Sequence, residues 1–203
     1  MDISRNKESL YQTGSAAQPM LSLEKVKAKV KESLSKGTTR ICLSVAWREI
    51  RNSKIFDNIL EMVRELSEMG IEVCCTLGML ELEQAHRLAE AGLHSYNHNL
   101  DTSETFYPNI ITSHGFQERI ATLDRVQQAG IEVCCGGIFG LGESVDDRLE
   151  LLRTLANRAP QPLSVPLNQL VRIPGTPLAN NDPVAFWEFL PLVAIQESRY
   201  RLP

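Results

Sequence analysis

The feature that most restricts the fold of this chain is a pattern met four times. A run with helical periodicity stops at a glycine, and a short strand-like run follows at once. SLEKVKAKVKESLSKG, IFDNILEMVRELSEMG, LEQAHRLAEAG and FQERIATLDRVQQAG end at Gly37, Gly70, Gly92 and Gly130, each placed to close a helix as a glycine C-cap. TTRICLSVA, IEVCCTLG, LHSYNHNLD and IEVCCGGIFG come next, and a fifth strand-like run, SVPLNQLV, follows the helical DRLELLRTLANR. Such alternation implies parallel strands with right-handed crossovers, so the fold class is α/β, as an open doubly wound sheet or a TIM-type barrel. The barrel is the preferred reading, and GIEVCC, which occurs at 70–75 and again at 130–135, then marks equivalent junctions of it. A chain of 203 residues needs only one domain. Residues 1–20 are polar and are expected to be irregular.

Charge narrows the partners. Lys and Arg number 21 against 25 Asp and Glu, a net charge of −4 with no block of one sign, which argues against nucleic acid and anionic membrane. The N-terminus lacks the apolar centre of a signal peptide, and no later run has the length to span a bilayer, so a cytoplasmic protein is expected. Five cysteines, an odd set lying within apolar runs, speak against a disulfide framework and leave core packing, metal ligation or thiol chemistry.

Strand alternation separates these cysteines. Successive side chains point to opposite faces, so the members of each adjacent pair diverge. Ile71, Val73, Cys75 and Leu77 form one apolar set, suited to the layer under the helices, while Glu72, Cys74 and Thr76 face the lumen. The second pair repeats this, with Cys135 outward and Glu132, Cys134 and Gly136 inward, and the first strand turns Arg40, Cys42 and Ser44 inward. The same parity puts Asn97, Asn99, Asp101 and Asn168 on the inner face and His98 outward, in a structural role. His86, His94 and His114 have no ligand-like spacing. An interior this polar is costly unless it binds something. Thiolates are soft donors for iron–sulfur, zinc or copper(I), and Arg40, two residues from Cys42 on the same face, is placed to steady anionic sulfur from a second shell.

ICLSVAW, EVCCTLGML, AGLHSYNHNLDTSETFYPNIITS, FQERIATLDRVQQAGIEVCCGGIFGLGE and SVPLNQLVRIPGTPLA resemble, in this order, the middle of the biotin synthase family of radical S-adenosylmethionine (SAM) enzymes. The likeness runs nearly unbroken from Tyr11 to Ala179, and YNHNLDTS and GGIFGLGE are its most specific parts. The resemblance implies a TIM-type barrel, a sulfur insertion that turns dethiobiotin into biotin, and a [2Fe-2S] cluster as sulfur source. Its three cysteine ligands match Cys42, Cys74 and Cys134, the same three that parity selects. It further implies dethiobiotin contacts at Asn97 and Asn168, SAM contacts at Asn99, Asp101 and Arg119, and an external electron donor and iron–sulfur assembly proteins as partners. Homodimerisation is left open. In ESRYRLP, Arg201 matches an arginine that completes the [2Fe-2S] coordination, although an unrelated tail fits that segment equally well.

The departure from the family is as informative. Its CxxxCxxC motif, which holds a [4Fe-4S] cluster, does not occur in this sequence. The resemblance therefore implies a partial barrel that lacks the radical generator and is inactive alone. The alternative is a non-catalytic iron–sulfur or ligand-binding descendant or fragment. A thiolate-dependent lyase or transferase is disfavoured, because no general base accompanies the inward cysteines.

Overall fold

The computed structural model describes residues 20–45 and 47–200. Its elements run α1 (Leu23–Leu34), β1 (Arg40–Ser44), α2 (Lys54–Glu68), β2 (Glu72–Thr76), α3 (Leu82–Glu90), β3 (Ser95–Asn97), α4 (Tyr107–Ile110), α5 (Phe116–Gln128), β4 (Glu132–Cys134), β5 (Gly137–Phe139), α6 (Val145–Ala156), β6 (Leu167–Gln169) and α7 (Phe186–Tyr200). The irregular segment expected over 1–20 falls, apart from Met20, outside the described residues, and so does Arg201.

Local sequence explains the helix boundaries. Ser53 accepts from the Phe56 N–H and so caps α2, whose buried face is Phe56, Ile59, Leu60, Met62, Val63 and Leu66. These positions recur at the three- and four-residue spacing of one helical face. The helix closes at Gly70, where φ is +80°, a conformation open to glycine at little steric cost. Ser144 caps α6 by accepting from the Asp147 N–H, while the Asp147 carboxylate accepts from the Ser144 N–H, two orphan donors satisfied reciprocally.

All paired strands are parallel. One sheet has the order β1-β2-β3-β4, and β5 pairs with β6. Isolated bridges join Asp101 to Gly137 and Cys134 to Ser164, so the second sheet continues the first. Neighbours in space are thus neighbours in sequence, which is the progression of a barrel wall and not the reversed order of a doubly wound sheet. The expected strand over 131–140 is two pieces. Asn99 Oδ1 accepts the Gly136 N–H at 3.0 Å, and a Cβ on Gly136 would lie 1.8 Å from the Pro166 carbonyl oxygen. Glycine there lets the β6 segment approach the backbone. β3 is also shorter than LHSYNHNLD suggests, because Asp101 turns out of extended geometry with φ +68°.

The core lies between the wall and the helices. Val73, Cys75, Tyr96, Val133, Cys135 and Phe139 are all buried there. Tyr96 ties two strands together: its hydroxyl donates to Gly78 O at 2.6 Å and accepts the Leu77 N–H at 3.1 Å. No helix among the described residues is long and apolar enough to cross a membrane.

Candidate functional site

The inner face carries three thiols. Cys42 and Cys74 are direct partners in the β1–β2 register. Cys74 pairs with Ser95, and Ser95 with Glu132, so Cys134 stands two positions beyond the row of Cys74 and two strands away. Barrel shear shifts the level by roughly one residue per strand, so Cys74 and Cys134 lie at one height in the lumen. Cys42 is exposed, Cys134 half-buried and Cys74 buried. The hydrogen bond from Cys74, aided by Thr76, lowers the Cys42 thiol to about 6 against the opposing effect of burial. Cys74, as the donor, is pushed up. Cys75 and Cys135 lie fully buried in the helix layer, and burial pushes Cys135 up to about 12.

Beyond the sulfurs, toward the C-terminal ends of the strands, opens a cavity of about 510 Å³ bordered by Cys42, Asn97, Asn99, Asp101 and Arg119 among others. Arg119 is its anchor. Its Nη2 pairs with Asp101 Oδ2 at 2.8 Å, its Nη1 donates to Asn99 O at 2.6 Å, and its Nε donates to the Tyr107 hydroxyl at 2.6 Å. Burial pushes the Asp101 carboxyl above its ordinary range, against the pull of Arg119.

The structure thus brings five of the sequence-derived residues to one cavity, and the others lie apart from it. Cys74 and Cys134 sit in the wall below. Asn168 shares a face with its register partner Ile138 and is exposed beyond the cavity border. Arg40 does not contact Cys42. Its guanidinium is held by Glu72, with Nε at 2.9 Å and Nη2 at 2.8 Å, and meets His94 Nε2 at 3.4 Å. The carboxylate lies directly across the register and takes two guanidinium nitrogens in charge-assisted hydrogen bonds.

His98, expected outward, is buried beside Tyr96 yet also borders the cavity with Trp47 and His114. The Nε2 of His98 has no hydrogen-bond partner, and burial next to Arg119 lowers the imidazole to about 3. Glu143, just before the Ser144 cap of α6, is buried, accepting from the Gly140 N–H at 2.9 Å and from Arg148 Nε at 2.6 Å.

Among the described residues no three His, Cys, Asp or Glu side chains are grouped tightly enough for a single metal ion. The donor set nevertheless suits a cluster of more than one iron: three soft ligands at neighbouring heights, one of them beside the buried, unpartnered hydroxyl of Ser95. A [4Fe-4S] cluster finds no such set, since the cysteines at 42, 74, 75, 134 and 135 do not make CxxxCxxC.

Comparison with known proteins adds ancestry to this geometry. Residues 7–155 match the model of the radical SAM superfamily. Over 186 residues the chain is 50% identical to the biotin synthase of Chlamydia abortus, covering 92% of this chain and 56% of that protein. It is 48% identical to the biotin synthase of Nostoc punctiforme, with the same coverage, and 46% identical to that of Flavobacterium johnsoniae over 91% of this chain and 51% of that protein. The chain thus spans about half the length of these relatives. Its backbone superposes on a methylornithine synthase with a TM-score of 0.76 at 16% identity, covering 91% of this chain and 56% of the other. The [FeFe]-hydrogenase maturase HydG gives 0.74 at 18%, covering 93% and 46%. Both likenesses concern the fold alone.

Proposed function

Because the chain belongs to the radical SAM superfamily, we propose that it forms the substrate- and sulfur-holding wall of a biotin synthase. In this reading Cys42, Cys74 and Cys134 hold a [2Fe-2S] cluster, with Arg201 as candidate fourth ligand. The identity of 46–50% to several biotin synthases supports the assignment, and one observation carries it: three thiols on three strands turn to the same face, directly below a polar cavity. Such a cluster, when bound, would supply sulfide for insertion into carbon–hydrogen positions of dethiobiotin.

The chain's own residues bind and orient. Asn97 offers an amide donor and acceptor suited to a cyclic urea, and Asn99 and Asp101 suit ribose hydroxyls, while Asn168, exposed beyond the cavity border, would have to reach the urea from outside it. Arg119 suits a carboxylate, such as that of SAM. Its three protein contacts already fix the guanidinium, so little rotamer freedom remains to be lost on binding. With the imidazole of His98 neutral, Arg119 and Arg48 are the arginines that border the cavity.

Anaerobic reconstitution with ferrous iron and sulfide tests the assignment. The chain should develop [2Fe-2S] absorption, which Cys42→Ser, Cys74→Ser and Cys134→Ser each abolish, while Cys75→Ser and Cys135→Ser retain it. Equal loss from all five substitutions would defeat it. Isothermal titration with dethiobiotin, with and without Asn97→Ala, examines the cavity separately.

A further inference from the structure

Each inward thiol has a hydroxyl on the strand that follows it. Cys42 Sγ lies 3.7 Å from Thr76 Oγ1 across β1–β2. Ser164 Oγ donates to Cys134 Sγ at 2.8 Å from the segment leading into β6. Ser95 is the register partner of Cys74 across β2–β3. Among the hydrogen bonds of the described residues, neither outward cysteine, Cys75 or Cys135, has a side-chain hydroxyl partner. The pairing therefore follows the face and not the residue type.

Ser95 is the informative member. It is fully buried, and its Oγ has no hydrogen-bond partner in the protein, an arrangement that costs the whole desolvation penalty of the hydroxyl. Cys74 as a thiol is a weak acceptor. As an iron-bound thiolate it would be a good one, and the orphaned hydroxyl would then be satisfied.

We propose that Thr76, Ser95 and Ser164 are O–H···S donors to the three sulfur ligands of the cluster, positioning residues that set its affinity for an electron. The proposal rests on the assignment of Cys42, Cys74 and Cys134 as ligands. A donor on a ligand sulfur draws charge off the cluster and favours the more negative, reduced form, which raises the reduction potential. The reaction concerned adds one electron to the oxidised [2Fe-2S] cluster from an external low-potential reductant, with no bond to the protein made or broken.

The test uses the full chain loaded anaerobically with ferrous iron and sulfide, then titrated spectroelectrochemically with dithionite and mediators. Thr76→Val, Ser95→Ala and Ser164→Ala should keep the cluster absorption but shift its potential negative. The shift should be largest for Ser164, the shortest contact, and smallest for Thr76, while Ser164→Thr restores the parent value. Ser95→Ala should also raise the urea midpoint of the metal-free chain while speeding cluster loss to a chelator, two changes of opposite sign that a packing role would not produce. The hydroxyls sit on separate strands, so a folding defect in one variant leaves two to decide. If the parent chain takes up no cluster, the ligand assignment falls and the donor role with it. If the cluster binds and all three potentials match the parent, the donor role alone is overturned.

Discussion

Replacing Arg119 with methionine should destabilise the chain by an amount that depends on pH in a defined direction. The guanidinium holds three partners, and its pair with Asp101 is well shielded, with side-chain exposures of 16% and 19%. Removing one member of a buried pair costs about 3–5 kcal/mol. With this residual exposure, about 2–4 kcal/mol is expected near pH 7, or roughly 6–12 °C in Tm for a chain of this length at the middle of that range. Asp101 fixes the pH dependence. Burial already raises its carboxyl while Arg119 pulls it down, so without Arg119 the carboxyl rises further. A carboxyl raised in the folded state binds more protons there than in the unfolded chain, and stability then falls as pH rises from the unfolded value toward the folded one. The deficit of Arg119→Met relative to the parent should therefore be small near pH 4, close to the unfolded value of 3.8, and grow toward neutrality. Urea unfolding at pH 4.5, 5.5 and 7 measures it. Adding Asp101→Asn should recover part of the loss at pH 7, because the uncompensated charge is gone. A deficit that is flat with pH, or larger in acid, would refute the argument.

Two further outcomes follow from buried groups. Tyr96→Phe leaves the Leu77 N–H and the Gly78 carbonyl without their side-chain partner and should cost about 1–3 kcal/mol by urea unfolding, whereas an unchanged midpoint would mean that water replaces the hydroxyl. In the metal-free chain Cys42, exposed and lowered to about 6, should react with iodoacetamide first and half-maximally near pH 6. Cys75 and Cys135, fully buried, should react only on unfolding, and mass spectrometry showing uniform labelling of all five would contradict the sorting of the thiols.

Much of this arrangement is legible in the sequence because two strong periodicities meet at fixed punctuation. Glycine marks where the 3.6-residue period ends and the two-residue period begins, and within β1, β2 and β4 alternation suffices to divide the cysteines. Legibility fails where the backbone leaves regular geometry. The φ of +68° at Asp101 has no local sign comparable to a glycine. Arg40 is misjudged for another reason. Parity gives its face correctly, but its ionic partner, Glu72, is chosen by inter-strand register, which only the assembled sheet provides. The hydroxyls of Ser95 and Ser164 are hidden in the same way, each being unremarked until its strand is set beside a cysteine.

Register also explains why the two halves of the site differ in chemistry. Along the common direction of the strands, the inner face begins with the Arg40–Glu72 ion pair, which His94 meets near the N-terminal end of the wall. The row of Cys42, Cys74 and Ser95 comes next, then Asn97, Cys134 and Ser164, and beyond them Asn99, Asp101 and Arg119 at the cavity. Arg40 and Glu72 thus pair near the N-terminal end of the wall and Arg119 and Asp101 at the cavity, with the sulfurs and the hydroxyls of Ser95 and Ser164 between them. Had Arg40 turned one level up toward Cys42, it would have left Glu72 uncompensated. Held by Glu72 through Nε and Nη2, the guanidinium instead compensates the carboxylate directly across the register and stays at the level where β1 and β2 begin.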